Sequence, residues 1–302
     1  MPASIFGMSS NSTKDDRPAL HNADRMEHPE NSTEVTAAPP QGAPWTRISL
    51  RRSFIYLMIP VATLRLISGT LAAGIKWSAP AHVETFRFWF YFFDVGRELN
   101  VPTWFSSGLW IAAGILAGYF ARHASRYRRS WALFAVVCLV LSIDETLELH
   151  ERLDGIGNAL AKYIPVQLGF TWVIPGLLIA GVIVLSLLRM VLSLPRTPRT
   201  ALLAAGIIFV GGGVGVESLS GFFIQGATLP WQFFLLTLIE ETLEMTGIAL
   251  LVAALAHIIA VRPSADRSTA YRVADRSLPE PATAAGPPPA RRTNGATAGP
   301  RL

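Results

Sequence analysis

The sequence predicts an all-α, polytopic membrane protein: a six-helix transmembrane bundle between two disordered tails. Three observations carry that expectation. The 302 residues are 51% hydrophobic and 16% charged, with mean hydropathy +0.37, too apolar for a soluble domain. The apolar residues fall into six stretches of about 20, the length that crosses a ~30 Å hydrocarbon core at a ~1.5 Å rise. Arginines gather at alternate ends of those stretches, as the positive-inside rule asks.

Taken in order, residues 1–44 are rich in Ser, Pro, Asn, Ala and charge and cannot bury enough apolar surface to fold alone. They also lack the basic-then-apolar pattern of a signal peptide. Spans follow near 53–75, 104–122, 131–151, 170–193, 201–224 and 232–261, and residues 263–302 repeat the composition of the first tail. Between the first two spans the run TFRFWFYFF, 85–93, reads either as an interfacial helix or as an early start of the second span. Trp77, Trp104, Trp131 and Trp231 stand near proposed span ends, where amphipathic rings favour the interface.

Orientation follows from the short loops. Arg51 and Arg52 precede the first span; Arg122, Arg126, Arg128 and Arg129 follow the second; Arg189, Arg196 and Arg199 follow the fourth; Arg262 follows the last. Six spans place all of them on one side, expected to be the cytoplasmic side of a bacterial inner membrane with both termini cytoplasmic. Lysine is confined to Lys14, Lys76 and Lys162, which fits a GC-rich bacterial genome. The net charge of +5 sits at span ends and in the tails, so the expected partner is the bilayer and not nucleic acid. Cys138 is the sole cysteine, which excludes an intramolecular disulfide.

Two acidic words interrupt this apolar chain. SIDETLEL occupies 142–149 and LIEETLEM occupies 238–245; IDETLEL and IEETLEM share five of seven residues. Helical spacing would put Asp144, Glu148 and Glu151 on one face, and Glu240 and Glu244 on another with Glu241 on an adjacent row. Glu217 adds a carboxylate from the fifth span, and Arg65 lies near the middle of the first. Facing lipid each would cost several kcal/mol, so all should turn into the bundle, in its outer half. Arg65 is expected to pair with Glu217 or Asp144. Three spans separate the words, which suits two inverted three-helix repeats; convergence of two helices with similar jobs is the other reading.

Arg65, Arg97, His150 and Arg152 are too few to balance the acids. Protons or a bound cation must make up the difference. A set of Asp144, Glu145, Glu148, His150, Glu151, Glu217, Glu240, Glu241 and Glu244 is rich in hard oxygen and suits a divalent cation, Ca²⁺, Mg²⁺ or Mn²⁺ more than Zn²⁺. The HExxH pattern is absent, and neither word supplies the Glu-x-x-His pairs of a di-iron site. A second constellation, FFDVGRELNVPTWFSS at 92–107, offers Asp94, Arg97, Glu98 and Asn100, either as a charged capping turn or as a lid over the cavity.

The combination FDVGRELNVPTWFSS, SIDETLELHERL, WVIPG, GVESLS and IEETLEMTG resembles a family of uncharacterised bacterial multi-pass membrane proteins. The resemblance covers about residues 50–260 and implies that these acids form one set. It supplies no reaction. Three functions stay open: a cation site serving a membrane-embedded enzyme or sensor, an ion- or proton-coupled transporter, and a polar network that fixes helix packing. An enzyme needs a nucleophile beside the acids, for which Ser142, Thr146, His150 and Ser218 are weak candidates. A transporter needs a polar route inward, and the inner halves offer little beyond Arg65. Gly211–Gly213 and Gly215 suit close helix approach instead of a pore.

Overall fold

A computed structural model describes residues 44–163, 169–220, 230–263 and 269–273. Most of both expected tails lies outside the described residues. Ser49 caps helix α1, Leu50–Trp77, by accepting from Arg52 N. Helix α2, Pro80–Phe93, starts on a proline and stops where Asp94 begins a loop. Helix α3, Val101–His123, is capped by Asn100, whose Oδ1 accepts from Thr103 N at 3.2 Å. Helix α4 is Arg128–Leu147; a 3₁₀ turn at Glu151–Leu153 leads into α5, Asp154–Ala161. Helices α6, Val173–Leu192, and α7, Arg196–Ser220, follow, and α8 is Pro230–His257.

Helices α1, α3, α4, α6 and α7 are long and apolar enough to cross a membrane, and the chain is accordingly a membrane protein. Leu66, Ile115, Val182, Leu185 and Ile207 are exposed along them, the surface that hydrocarbon would cover. The outermost part of the expected fifth span, 221–224, lies outside the described residues. The aromatic run is not an early start of α3: α2 is a helix of its own, separated from α3 by residues 94–100. The side chains of Phe88, Trp89, Tyr91 and Phe92 are exposed on it.

Two expectations are corrected. The chain is not all-α. Strands β1, Thr46–Arg47, β2, Ile259–Pro263, and β3, Thr269–Val273, form an antiparallel sheet in the order β1-β2-β3. Helix α8 stops at His257, so Ile259–Val261, read from sequence as the end of a span, turns instead into the central strand with Arg262 and Pro263. Its alternating Ile259, Val261 and the matching Thr269, Tyr271, Val273 have the period and residue types of a strand. That pairing draws Thr269–Val273 out of the expected tail.

The other correction concerns α4. It ends at Leu147, and Glu148 takes a left-handed φ of 49°, which costs a non-glycine residue ~1–2 kcal/mol. Asp144 offsets that cost by accepting from His150 N at 2.8 Å, which fixes the reversal. The face Asp144–Glu148–Glu151 therefore does not form.

The half of the bundle nearer the sheet is a tight apolar core. Ala113, Ala117, Phe120, Cys138, Ile248, Ala249, Leu255 and Ile258 are fully buried in it. Small residues bring the helices together: a Cβ at Gly247 would lie 2.8 Å from Phe209 N and 2.9 Å from Ala205 O. Helices α7 and α8 thus meet backbone to backbone, and the polar cluster lies beyond this seal.

Candidate functional site

Depth is set by helix length. At a ~1.5 Å rise, Arg65 lies about 22 Å along α1 from Leu50. On the same scale Glu145 lies about 26 Å along α4 from Arg128, and Glu241 about 24 Å back along α8 from His257. The three are level, and Arg65 and Glu241 meet. Arg65 is 8% exposed; its Nη2 donates to Glu241 O at 2.8 Å and stands 3.7 Å from Glu241 Oε2. The expected partners, Glu217 and Asp144, are not the ones used. Glu241 turns to Arg65 because it stands one row around α8 from the Glu240–Glu244 edge. The Nε and Nη1 of Arg65 are buried without a protein partner.

Glu145, not Asp144 or Glu148, is the inward-facing acid of the first word. It accepts from Ser106 Oγ at 2.5 Å and lies within electrostatic range of Arg65. Ser107 and Ser142 stitch α3 to α4 beside it, with Oγ atoms 2.8 Å apart and each hydroxyl also reaching the other's carbonyl. These serines come from PTWFSS and SIDETLEL. Ser106 and Ser107 were passed over in the sequence reading, while Ser142 was named only as a nucleophile candidate.

On α8 the array continues. Glu241 also senses Glu145, Glu98 and Glu240; Glu244 senses Glu241, Glu145, Glu240 and Glu217. Glu244 rests on a π-helical turn of α7, Gly211–Val216. A Cβ on Gly212 would come within 3.1 Å of Glu244 Cγ, and one on Gly213 would overlap Glu244 Oε1. The glycines here make room for a carboxylate. Such π turns recur at functional sites.

Above this level the loop between α2 and α3 folds on itself. Asn100 Nδ2 donates to Asp94 O at 2.5 Å, Asp94 Oδ1 accepts from Gly96 N at 3.2 Å, and Leu99 holds a left-handed φ of 59°. Arg97 leans on the Tyr91 ring, 4.2 Å from its centroid, and takes no part in the cluster. Glu98 does, since it lies in range of Glu145, Glu148 and His150. Its Oε2 is buried and unpartnered. Burial, reinforced by the charges of Glu145 and Glu148, pushes its carboxyl up to about 7. Burial likewise raises Asp94.

A second polar group occupies the outer end. Asp144 Oδ2 meets His150 Nδ1 at 3.0 Å, and the imidazole sits 4.6 Å from the Trp172 ring. Trp172 Nε1 donates to Glu217 Oε1 at 2.8 Å, while Trp172 N donates to Asp154 Oδ1 at 2.8 Å. Burial lowers the His150 pKa, but the hydrogen bond and charge of Asp144 outweigh it, with Glu217 and Glu151 adding, so the net shift is upward. Glu151 itself is exposed on the 3₁₀ turn. Trp172 and Asp154 were not singled out from sequence, and only the packing of the 150s against the start of α6 brings them in.

The expected ligand set is therefore split. Glu145, Glu241 and Glu244 lie in range of Arg65; Asp144, His150 and Glu217 form a second group, with Glu240 in range of His150 and Glu217. Among the described residues, no three or more His, Cys, Asp or Glu side chains converge as ligands for one ion. Several carboxylates are turned toward partners of their own: Asp144 to His150, Glu145 to Ser106, Glu217 to Trp172 and Glu241 to Arg65. The arrangement can store and pass protons among closely placed acids, and it can hold one guanidinium.

Residues 56–258 match a family model described as a domain of unknown function (DUF8692). No curated protein and no solved structure matches the chain.

Proposed function

We propose, from the premise that the chain belongs to this family of unknown function, that it is a proton-coupled transporter of a bacterial inner membrane. The observation that carries the reading is the interior charge balance. One arginine stands in range of Glu145, Glu241 and Glu244, with Glu98 and Glu240 in range of Glu241, and two like charges 4 Å apart repel by ~4 kcal/mol at an effective dielectric of 20. With no shared ion site formed among the described residues, protons are the counter-charge best suited to this geometry.

In this reading α8 is the sixth span. Its 28 residues reach about 42 Å, and its three glutamates face the bundle interior. The arginine-rich end and both termini are cytoplasmic, α2 lies along the outer interface, and the site opens outward through the Glu98 loop and the Asp144–His150 pair. The inverted repeat also gains support. Glu145 and Glu241 are equivalent positions of the two words, and both lie in electrostatic range of Arg65, as a pseudo-two-fold arrangement would have them. Thr146 and Thr242, equivalent as well, each bond back to the carbonyl four residues earlier.

A second reading, a divalent cation held by Glu240, Glu244 and Glu217, is favoured by the excess of carboxylate over Arg65. One experiment separates the two. Infrared spectra of the purified protein should show protonated-carboxyl absorption that Glu241→Gln and Glu145→Gln each diminish. Metal analysis of the same sample should find no stoichiometric Ca²⁺, Mg²⁺ or Mn²⁺, and chelator should leave its melting temperature unchanged. A stoichiometric metal with a chelator-sensitive melting temperature would replace protons by the divalent ion.

A further inference from the structure

The three-stranded sheet has two unlike faces, and its register defines them. Arg47 is paired with Ala260, and Ala260 with Arg272, so the three share a face. Side chains alternate along a strand, which adds Arg262, Ala270 and Trp45 to that face. The opposite face carries Thr46, Ile259, Val261, Tyr271 and Val273, of which Ile259 and Val273 pack on the apolar core of the bundle. Three arginines and an indole thus share the face opposite Ile259 and Val273, half-buried around Ala260, which is 2% exposed.

An aromatic ring holds two of the arginines. Arg262 and Arg272 both lie over the Trp45 ring, with Cζ atoms 4.9 and 5.3 Å from its centroid. A π-face positions a guanidinium while leaving its fork of donors free. Among the described residues none of Arg47, Arg262 and Arg272 has a carboxylate within ion-pair distance. Arg51 and Arg52 extend the patch, exposed on the first turn of α1. The sheet is also fixed in place: His257 Nδ1 bonds Ile48 O at 2.7 Å, which ties the residue after β1 to the end of α8.

Position narrows the partner. Strand β1 ends three residues before α1, a helix built to cross a membrane, so Arg47 lies within about 10 Å of the start of the span. That is headgroup depth. Planar guanidiniums take phosphate oxygens bidentately, and tryptophan favours the same layer. We propose that this face binds the phosphate of an anionic phospholipid, with Arg262 and Arg272 as the clamp and Trp45 as its support. The inference needs only that α1 spans, and it stands or falls apart from the proton reading.

The test uses the full-length protein in nanodiscs of phosphatidylcholine, with and without phosphatidylglycerol. Retained lipid is counted by native mass spectrometry, and the melting temperature is recorded. Phosphatidylglycerol should be retained and should raise the melting temperature. The double variant Arg262→Gln/Arg272→Gln should bind it on the order of tenfold more weakly while melting as wild type does in phosphatidylcholine alone. If that variant is unstable in both lipids, Arg262→Lys/Arg272→Lys keeps the charge and should still retain less lipid, since the fork is gone. Arg122→Gln, in the last turn of α3, should change neither readout. Equal retention by wild type and both double variants would overturn the proposal. So would displacement of the lipid by glycerol phosphate at equal concentration, which would make the ligand a soluble phosphate.

Discussion

At the scale of single residues, the chemistry turns on who neutralises whom. Removing one partner of a buried ion pair costs ~3–5 kcal/mol in soluble proteins, so Arg65→Leu should destabilise the protein strongly. Adding Glu241→Gln should recover part of that loss. Thermal denaturation of the four members of the cycle should give a coupling well above ~0.5 kcal/mol; coupling found instead with Glu217 or Asp144 would transfer the pairing to them. Glu98 gives a pH signature. Its folded carboxyl, pushed up to about 7 by burial and by Glu145 and Glu148, binds its proton more tightly than the unfolded chain does. Its contribution is complete below the ordinary glutamate value and is lost as pH rises through about 7. Stability should thus fall between about pH 4.5 and 7, and Glu98→Gln should flatten that slope. His150 is also raised, by Asp144 against the opposing effect of burial. Its stabilisation is present below the ordinary histidine value and disappears as pH passes its folded one. Asp144→Asn should bring the imidazole titration, followed by NMR, down.

At the scale of elements, helix ends and close crossings decide which side chains can meet. Gly213 and Gly247 sit where α7 and α8 touch, and Cβ atoms there would collide with Glu244 or with the backbone of Phe209. Gly213→Ala and Gly247→Ala should each destabilise by ~1–3 kcal/mol. Gly215→Ala, with nothing within 4 Å of the added carbon, should be neutral or gain a few tenths of a kcal/mol from helix propensity. Thermal denaturation in detergent distinguishes the three. If all three behave alike, the π turn does not make room for Glu244. The end of α4 shows the same logic. A reversal at Glu148 takes one acid off the inner face, and the helix C-terminus delivers Asp144 to His150 instead of to the cluster.

At the scale of the whole molecule, the arginine-rich end and the carboxylate end separate two environments. In a chain with Cys138 replaced by serine, cysteines introduced at Pro80 and Ile156 should react with an impermeant thiol reagent applied to intact cells. A cysteine at Ser125 should react only after permeabilisation. Labelling of position 125 in intact cells would reverse the frame and place the acidic site on the cytoplasmic side.

The sequence by itself determined that this is a membrane protein, where its apolar helices run to within a few residues, and that two acidic words interrupt them. Those properties are local. A run of about 20 apolar residues is unstable in water whatever surrounds it, and an intramembrane acid must turn inward whichever neighbour it finds. Tertiary structure alone decided the pairings. Glu145 replaced Asp144 and Glu148 because α4 stops one residue before Glu148; Arg65 chose Glu241 because of the rotation of α8; Ser106 and Trp172 joined because distant elements pack against the acids. The sheet was hidden for the same reason. Strand β1 joins it by pairing Thr46 with Val261, and a pairing between residues more than two hundred apart is a property of the folded chain, not of either segment.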